Sequence, residues 1–233
     1  MSRKKVAIKE HRVWLTLWIY LLSLVSGYIN VATIVSFATP VTHVTGTITK
    51  TSIQAFHGNW RGFFFSMMVL ASFFIGSAVS GMFFSDKRFG LKHRYGVLLM
   101  CYGAILFSVS TFFDLGRYIT WLLAFIVGSQ NGMFIFYRGT LVRTSHFTGY
   151  LTDAGFTLGM LLKGETHEYW KLIFYSINII IFSLGGAFYL VTANMMGNRY
   201  LQCAAVMYML IGLYYFIFRN IFFQPAHKEK FKA

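Results

Sequence analysis

The sequence predicts an all-α polytopic membrane protein, with six transmembrane helices in two inverted three-helix repeats and a polar re-entrant segment in each repeat. Two observations lead to this prediction. The composition suits a chain folded in lipid, because 56% of its residues are hydrophobic, 12% are charged and the mean hydropathy is +0.57. The chain also carries one polar motif, His-x-Thr-Gly, twice between its apolar stretches. We therefore expect a single membrane domain.

Six apolar stretches are long enough to cross a bilayer as helices. About 20 mostly apolar residues cover the ~30 Å hydrocarbon layer while satisfying every backbone N–H and C=O group inside the helix. Trp and Tyr residues cluster near the ends of these stretches, as they do where lipid headgroups begin. The predicted spans are 13–37, 61–84, 95–113, 118–137, 170–192 and 200–222.

The net charge of +14 is explained by the placement of the basic residues. With six spans and an internal N-terminus, all but four of the 21 Lys and Arg residues fall inside, including those of the basic tails at 1–12 and 223–233. This asymmetry is the positive-inside rule, and it predicts a multi-pass protein of the plasma membrane with both termini in the cytoplasm. Nucleic-acid binding is not needed to explain the charge. The four exceptions are Lys50, Arg61, Arg117 and Arg199.

The segments THVTGTIT (42–49) and SHFTGYLT (145–152) share His, Thr-Gly and Thr at the same spacing. Further matches occur in the same order, with Gly27 to Asn30 opposite Gly128 to Asn131 and Gly76 opposite Gly186. Ordered matches at a nearly constant offset indicate duplication. We therefore predict a first repeat at 13–113, with its re-entrant segment at 39–58, and a second repeat at 118–222, with its re-entrant segment at 139–166.

Three spans in each half would make the two repeats cross the membrane in opposite senses. The first His-x-Thr-Gly segment would enter from outside and the second from inside, as in inverted-repeat transporters. An eight-span alternative would let both polar segments cross fully. That alternative would move four basic residues of the second loop outside, and it would place Lys50 or Asp153 in the bilayer without an obvious partner.

Two motifs resemble those of a known family. The run Arg143 to Asp153, preceded by Gly128 to Gly132, is similar to the second-half signature of the YoaK-like family of small bacterial integral membrane proteins. Gly27-Tyr28 and His43 to Gly46 resemble its first-half signature, and the likeness covers nearly the whole chain. The first half departs from the family pattern at two positions. It has Asn30 where family members usually have Asp, and it has Thr47 where they usually have Asn. The resemblance implies a bacterial inner-membrane protein but supplies no established activity.

The two motifs also predict a binding site. In each motif, Thr and Gly suggest that a short helix begins there. If the N-termini of both short helices lie at the membrane midplane, they would form a polar site for an anion or a hydrogen-bonding solute. Amides on the preceding spans would either line the same cavity or join helices to one another. Asp153 and Lys50 occupy equivalent places and are candidates for ion or proton coupling, or for a structural pair. The candidate solute-binding residues are His43, Thr45, Gly46, His146, Thr148, Gly149, Asn30, Gln130 and Asn131.

These features predict a transporter or channel for a small polar or anionic solute in the lipid bilayer. The alternative is a non-transporting scaffold or assembly factor that docks a partner through the polar segments. The chain has no catalytic motif of the common hydrolase, metalloprotease or nucleotide-binding kinds, so we expect no enzyme activity, no cofactor and no metal. A ridge of small residues suggests helix packing, either within the bundle or in a homo-oligomer: Ser72, Gly76, Ser77, Ser80 and Gly81.

Overall fold

The computed structural model describes residues 3–85, 90–133 and 135–223. Lys87 and Arg88 of the predicted inner loop, and the basic tail beyond 223, lie outside these residues. Within them, eight α-helices and one β-hairpin follow in the order α1 (Arg3–Phe37), α2 (Val44–Phe56), α3 (Trp60–Phe83), α4 (His93–Phe112), α5 (Ile119–Gly132), β1 (Ile135–Tyr137), β2 (Thr140–Val142), α6 (Phe147–Leu162), α7 (Tyr169–Met196) and α8 (Tyr200–Phe223). The predicted helical class is therefore confirmed.

Among the described residues, five helices are long and apolar enough to cross a bilayer: α1 from Arg12 onward, α3, α4, α7 and α8. The predicted fourth span, 118–137, is wrong at its C-terminal end, because α5 stops at Gly132 after 14 residues. A helix of that length covers about 21 Å. Strands β1 and β2 follow as an antiparallel hairpin, and its turn places Arg138 and Gly139 at positive φ. That turn geometry ends the apolar run as a hairpin rather than a helix.

The long helices pack in pairs. The closest pairs are α1 with α7, α3 with α5 and α4 with α8, while α2 lies on α3 and α6 lies on α7. The small-residue ridge of α3 faces α5, where Ser77 and Ser80 donate hydrogen bonds of 2.8 and 2.6 Å to the carbonyl oxygens of Gly128 and Ser129. Gly76, Ser77 and Ser80 of the ridge thus contact α5, whereas Gly81 is exposed. A homo-oligomer remains a prediction that this packing does not support.

Equivalent contacts recur in the two halves of the bundle. A Cβ atom on Gly27 would lie 2.0 Å from the carbonyl oxygen of Phe182, and one on Gly128 would lie 2.2 Å from that of Phe73. Gly27 and Gly128 are 101 positions apart, and Phe73 and Phe182 are 109 positions apart. The α1–α7 crossing is therefore the counterpart of the α5–α3 crossing.

The same two offsets relate a second pair of contacts. A Cβ atom on Gly76 would meet the carbonyl oxygen of Phe125, and one on Gly185 would meet that of Leu24. Gly185 is thus the structural counterpart of Gly76, one residue away from the match predicted at Gly186.

The close crossing of α5 and α3 at Gly128 predicts a large effect of a single methyl group. We expect Gly128→Ala to destabilise the protein by about 1–3 kcal/mol, because the added atom would meet backbone that cannot rotate away. Gly81→Ala on α3 is the matched control, since nothing lies within 4 Å of its Cβ position. Thermal unfolding in detergent measures both variants. Equal unfolding midpoints for the two would contradict the close crossing.

Candidate functional site

The two His-x-Thr-Gly turns have the same local structure. His43 and His146 are the N-cap residues of α2 and α6, with φ, ψ of −102°, 69° and −92°, 61°. Neither side chain caps its helix. Each imidazole instead folds over the glycine three residues later, so that a Cβ on Gly46 would lie 2.7 Å from His43 Nδ1 and one on Gly149 would lie 2.4 Å from His146 Cδ2. Glycine in the motif therefore makes room for the histidine ring.

One asparagine anchors each turn. Thr42 N donates to Asn30 Oδ1 at 3.2 Å, and Ser145 N donates to Asn131 Oδ1 at 3.1 Å. In both halves the bond joins a buried asparagine of the preceding helix to the residue just before the histidine. The Nδ2 group of Asn131 also donates to Ser145 Oγ, whereas no described residue accepts from Asn30 Nδ2. The two asparagines thus hold the turns, and Asn30 keeps one free donor.

The chain reaches the two turns by different routes. After Asn30, α1 continues to Phe37, and Ala38 turns the backbone at a φ of 49° before the chain returns to His43. After Asn131 the hairpin occupies the corresponding place. Short loops then lead from α2 into α3 and from α6 into α7, which makes each short helix an antiparallel neighbour of the long one that follows. Both short helices therefore begin at the turns and run away from them.

The two turns line the same cavity, of about 590 Å³. A second cavity, of about 540 Å³, adjoins it and shares five of its residues. Both volumes are in the range of small-molecule sites. The first cavity is lined by Thr42, His43, Val44, Thr45, Phe73, Ser77, Asn131, Arg143, Ser145, His146, Phe147 and Thr148. The second is lined by Asn30, Ile34, Ala38, Pro40, Thr42, His43, Ser145, Phe147, Thr148 and Phe182.

The region contains hydrogen-bond donors from two helix N-termini and one guanidinium group. The first-turn N–H groups of α2 and α6 have no side-chain cap, and the first turn of a helix carries partial positive charge. Arg143 contributes a guanidinium, which donates to the carbonyl oxygen of Asn131. Among the described residues that line the two cavities there is no Asp and no Glu. The cavities therefore offer positive potential without a neighbouring carboxylate.

Most of the predicted site residues lie around these cavities. His43, Thr45, His146, Thr148 and Asn131 line the first cavity, and Asn30 lines the second. Gly46 and Gly149 lie beneath the histidine rings rather than in the lining.

Gln130 lies away from both cavities. Its Nε2, which has two hydrogens to donate, lies within hydrogen-bond distance of Leu22 O, Ser26 Oγ and Thr144 Oγ1, and its Oε1 accepts from Tyr208. Only 1% of the residue is exposed. Of the two roles predicted for this amide, these contacts agree with the joining of helices, and Gln130 lines neither cavity.

Lys50 and Asp153 also lie outside the two cavities. Lys50 Nζ donates to Ala38 O at 3.0 Å and so fixes the turn at the end of α1. Asp153 is exposed on α6 and takes part in none of the ion pairs found among the described residues. The two side chains do not form the structural pair that was one of the predicted alternatives.

Sequence reasoning missed Arg143 and the two phenylalanines, Phe73 and Phe182. Arg143 stands three residues before His146, where the first repeat has Pro40, and both residues line a cavity. The sequence signal that could have identified Arg143 was this difference between the repeats, with a cation in one and a proline in the other. The phenylalanines gave no such signal, because the chain contains 26 of them.

A comparison with known families decides which family the chain represents. The profile described as "Protein of unknown function (DUF1275)" matches residues 18–214, which is most of the chain. The protein belongs to the DUF1275 family. No curated protein and no solved structure matches this chain. The membership of DUF1275 agrees with an uncharacterised membrane-type family and carries no activity with it, so the function has to be argued from the site.

Proposed function

We propose that this DUF1275 protein is a transporter or channel for a small polar or anionic solute. The observation that carries the proposal is that the His-x-Thr-Gly turns of both halves line one cavity of about 590 Å³. Non-helical backbone at membrane depth is tolerated where it lines a water-filled cavity or is buried in protein. A scaffold with a closed, dry centre would not need two polar turns to face a common space.

We further propose that the two halves are inverted repeats in the plasma membrane, with both termini in the cytoplasm. The contacts at constant offsets support a duplication, and the distribution of Lys and Arg supports the orientation. In this arrangement α5 and the hairpin together take the place of the predicted fourth span, 118–137. The short helices α2 and α6 are then re-entrant, with their N-termini near the midplane. This geometry is the one that transporters use to hold anionic groups.

The chemistry of the cavities favours an anion over a cation as the solute. Helix N-termini and a guanidinium both attract negative charge, and the described lining holds no carboxylate that would attract a cation. The two cavities meet at Thr42, His43, Ser145, Phe147 and Thr148. A solute that moves between the cavities therefore passes these five residues.

Osmotic swelling of reconstituted vesicles tests the proposal. Vesicles containing the protein should swell faster than empty vesicles in at least one of nitrate, formate, urea and glycerol. Thr148→Trp should return the rate to that of empty vesicles, because Thr148 lines both cavities and an indole would fill the space between them.

Thr152→Trp is the matched control for this experiment. Thr152 is exposed one turn further along α6 and lines neither cavity, so its rate should equal that of the unaltered protein. A rate equal to that of empty vesicles with every probe would favour the scaffold alternative. Equal inhibition by both Trp variants would indicate that the solute does not pass through the cavity.

A further inference from the structure

A separate cavity of about 680 Å³ is lined by several basic side chains and by the segment that contains Ala38. Its described lining includes no Asp and no Glu. We call it the basic vestibule, and its lining consists of Val35, Ser36, Phe37, Ala38, Thr39, Lys50, Gln54, Asn59, Arg61, Gly62, Phe65 and Arg117. It shares Ala38 with the smaller solute cavity and none of that cavity's polar residues.

Three cations reach the basic vestibule from three different elements. Lys50 comes from α2, Arg61 from α3 and Arg117 from the 3₁₀ turn that precedes α5. They are three of the four basic residues that the charge distribution assigns to the outer side. The fold thus gathers nearly all of the predicted outer positive charge around one space.

Each of the basic groups keeps its charge uncompensated by a carboxylate. Lys50 Nζ donates to the carbonyl oxygen of Ala38, and the guanidinium carbon of Arg117 lies 3.7 Å above the ring of Phe65. Stacking of this kind orients a guanidinium while its N–H groups remain able to bind an oxyanion. The ion pairs described for the chain include none of the three residues.

Two amides add neutral donors to the same space. Ser66 Oγ donates to Gln54 Oε1 at 2.9 Å, and Gly62 N donates to Asn59 Oδ1 at 3.0 Å. Because both oxygens are engaged, the two NH₂ groups remain for other partners. They converge on Gly62, where a Cβ would lie 2.6 Å from Gln54 Nε2 and 2.8 Å from Asn59 Nδ2. Glycine at this position leaves the donors room to face the vestibule.

We propose that the basic vestibule is a binding site for a phosphate group or a similar oxyanion. Two guanidinium groups, one ammonium and two amide NH₂ groups surround a single cavity, which is the donor set that tetrahedral oxyanions require. Trp60 and Tyr118 flank Arg61 and Arg117 in the chain and are typical of the headgroup level. The phosphate therefore belongs either to an anionic lipid or to a soluble anion. The site rests on its own contacts and does not depend on transport.

The thermal unfolding midpoint in an uncharged detergent tests this site in the full-length protein. Inorganic phosphate and short-chain phosphatidylglycerol are titrated separately. We expect at least one of them to raise the midpoint at low millimolar concentration. For Arg61→Gln with Arg117→Gln, the concentration that gives half of the rise should increase at least tenfold. Arg12→Gln with Arg199→Gln removes two exposed charges outside the vestibule and should behave like the unaltered protein.

A second variant covers the case in which the double variant fails to fold. Gly62→Ala keeps every charge but pushes the two amide groups aside, and it should also weaken the response. A response to phosphatidylglycerol alone assigns the site to a lipid headgroup, one to inorganic phosphate alone assigns it to a soluble anion, and a response to both assigns it to the phosphate group itself. No response to either ligand, or equal responses in all variants, would overturn the proposal.

Discussion

Arg143→Gln should slow the passage of nitrate or formate by about tenfold to a hundredfold. A charge-assisted hydrogen bond contributes about 1.5–3 kcal/mol, and Arg143 is the only cationic side chain among the described residues that line the two solute cavities. The first repeat has Pro40 at the equivalent place, so no second guanidinium replaces the lost charge. The initial rate of vesicle swelling gives the effect directly.

Two comparisons separate charge from structure in this experiment. Arg143→Lys should recover part of the anion rate, because it retains the charge but loses the planar guanidinium. Arg138→Gln should leave the rate unchanged, since Arg138 lies in the hairpin turn over the ring of Trp170 and outside both solute cavities. If Arg143→Gln slowed urea as much as nitrate, Arg143 would have a structural role and no part in selecting anions.

Replacement of both motif histidines should abolish solute flux with little loss of stability. His43 lines both solute cavities and His146 lines the larger one, and each ring is exposed rather than packed in the core. Removal of an exposed side chain usually changes stability by no more than about 0.5 kcal/mol. We therefore expect the His43→Ala, His146→Ala double variant to swell like empty vesicles while its unfolding midpoint stays near that of the unaltered protein.

The control for the histidine pair is His57→Ala with His167→Ala. Both of these residues are exposed, and neither lines a solute cavity. This double variant should transport at the unaltered rate. Full flux after loss of His43 and His146 would leave the two histidines with a structural role, in which their rings only cover Gly46 and Gly149.

The part of the fold that follows from local pattern could be predicted from the sequence. Long apolar runs predicted α1, α3, α4, α7 and α8, since a bilayer demands continuous helices of that length. The repeated His-x-Thr-Gly predicted two short helices that begin alike, and the backbone angles of His43 and His146 agree. These features depend on residues that are close together in the chain.

Features of the fold that depend on contacts between residues far apart in the chain could not be predicted from the sequence in this way. The apolar run at 118–137 gave no sign that a positive φ at Arg138 would turn it into a hairpin. Gln130 is polar and precedes the second motif, yet most of its partners come from α1 and α8, and only the packed bundle shows that they satisfy it. Arg143 was known as a motif residue, but its place in a cavity depends on how α3 and the two turns meet.

We propose that a solute can reach the space between the two His-x-Thr-Gly turns from both sides of the membrane. Thr148→Cys, in a background with Cys101 and Cys203 replaced by Ala, tests it most directly, because Thr148 lines both solute cavities. A small membrane-impermeant thiol reagent added to sealed vesicles should modify this cysteine from either face and stop the flux. Modification from one face only, or from neither, would contradict a passage between the turns.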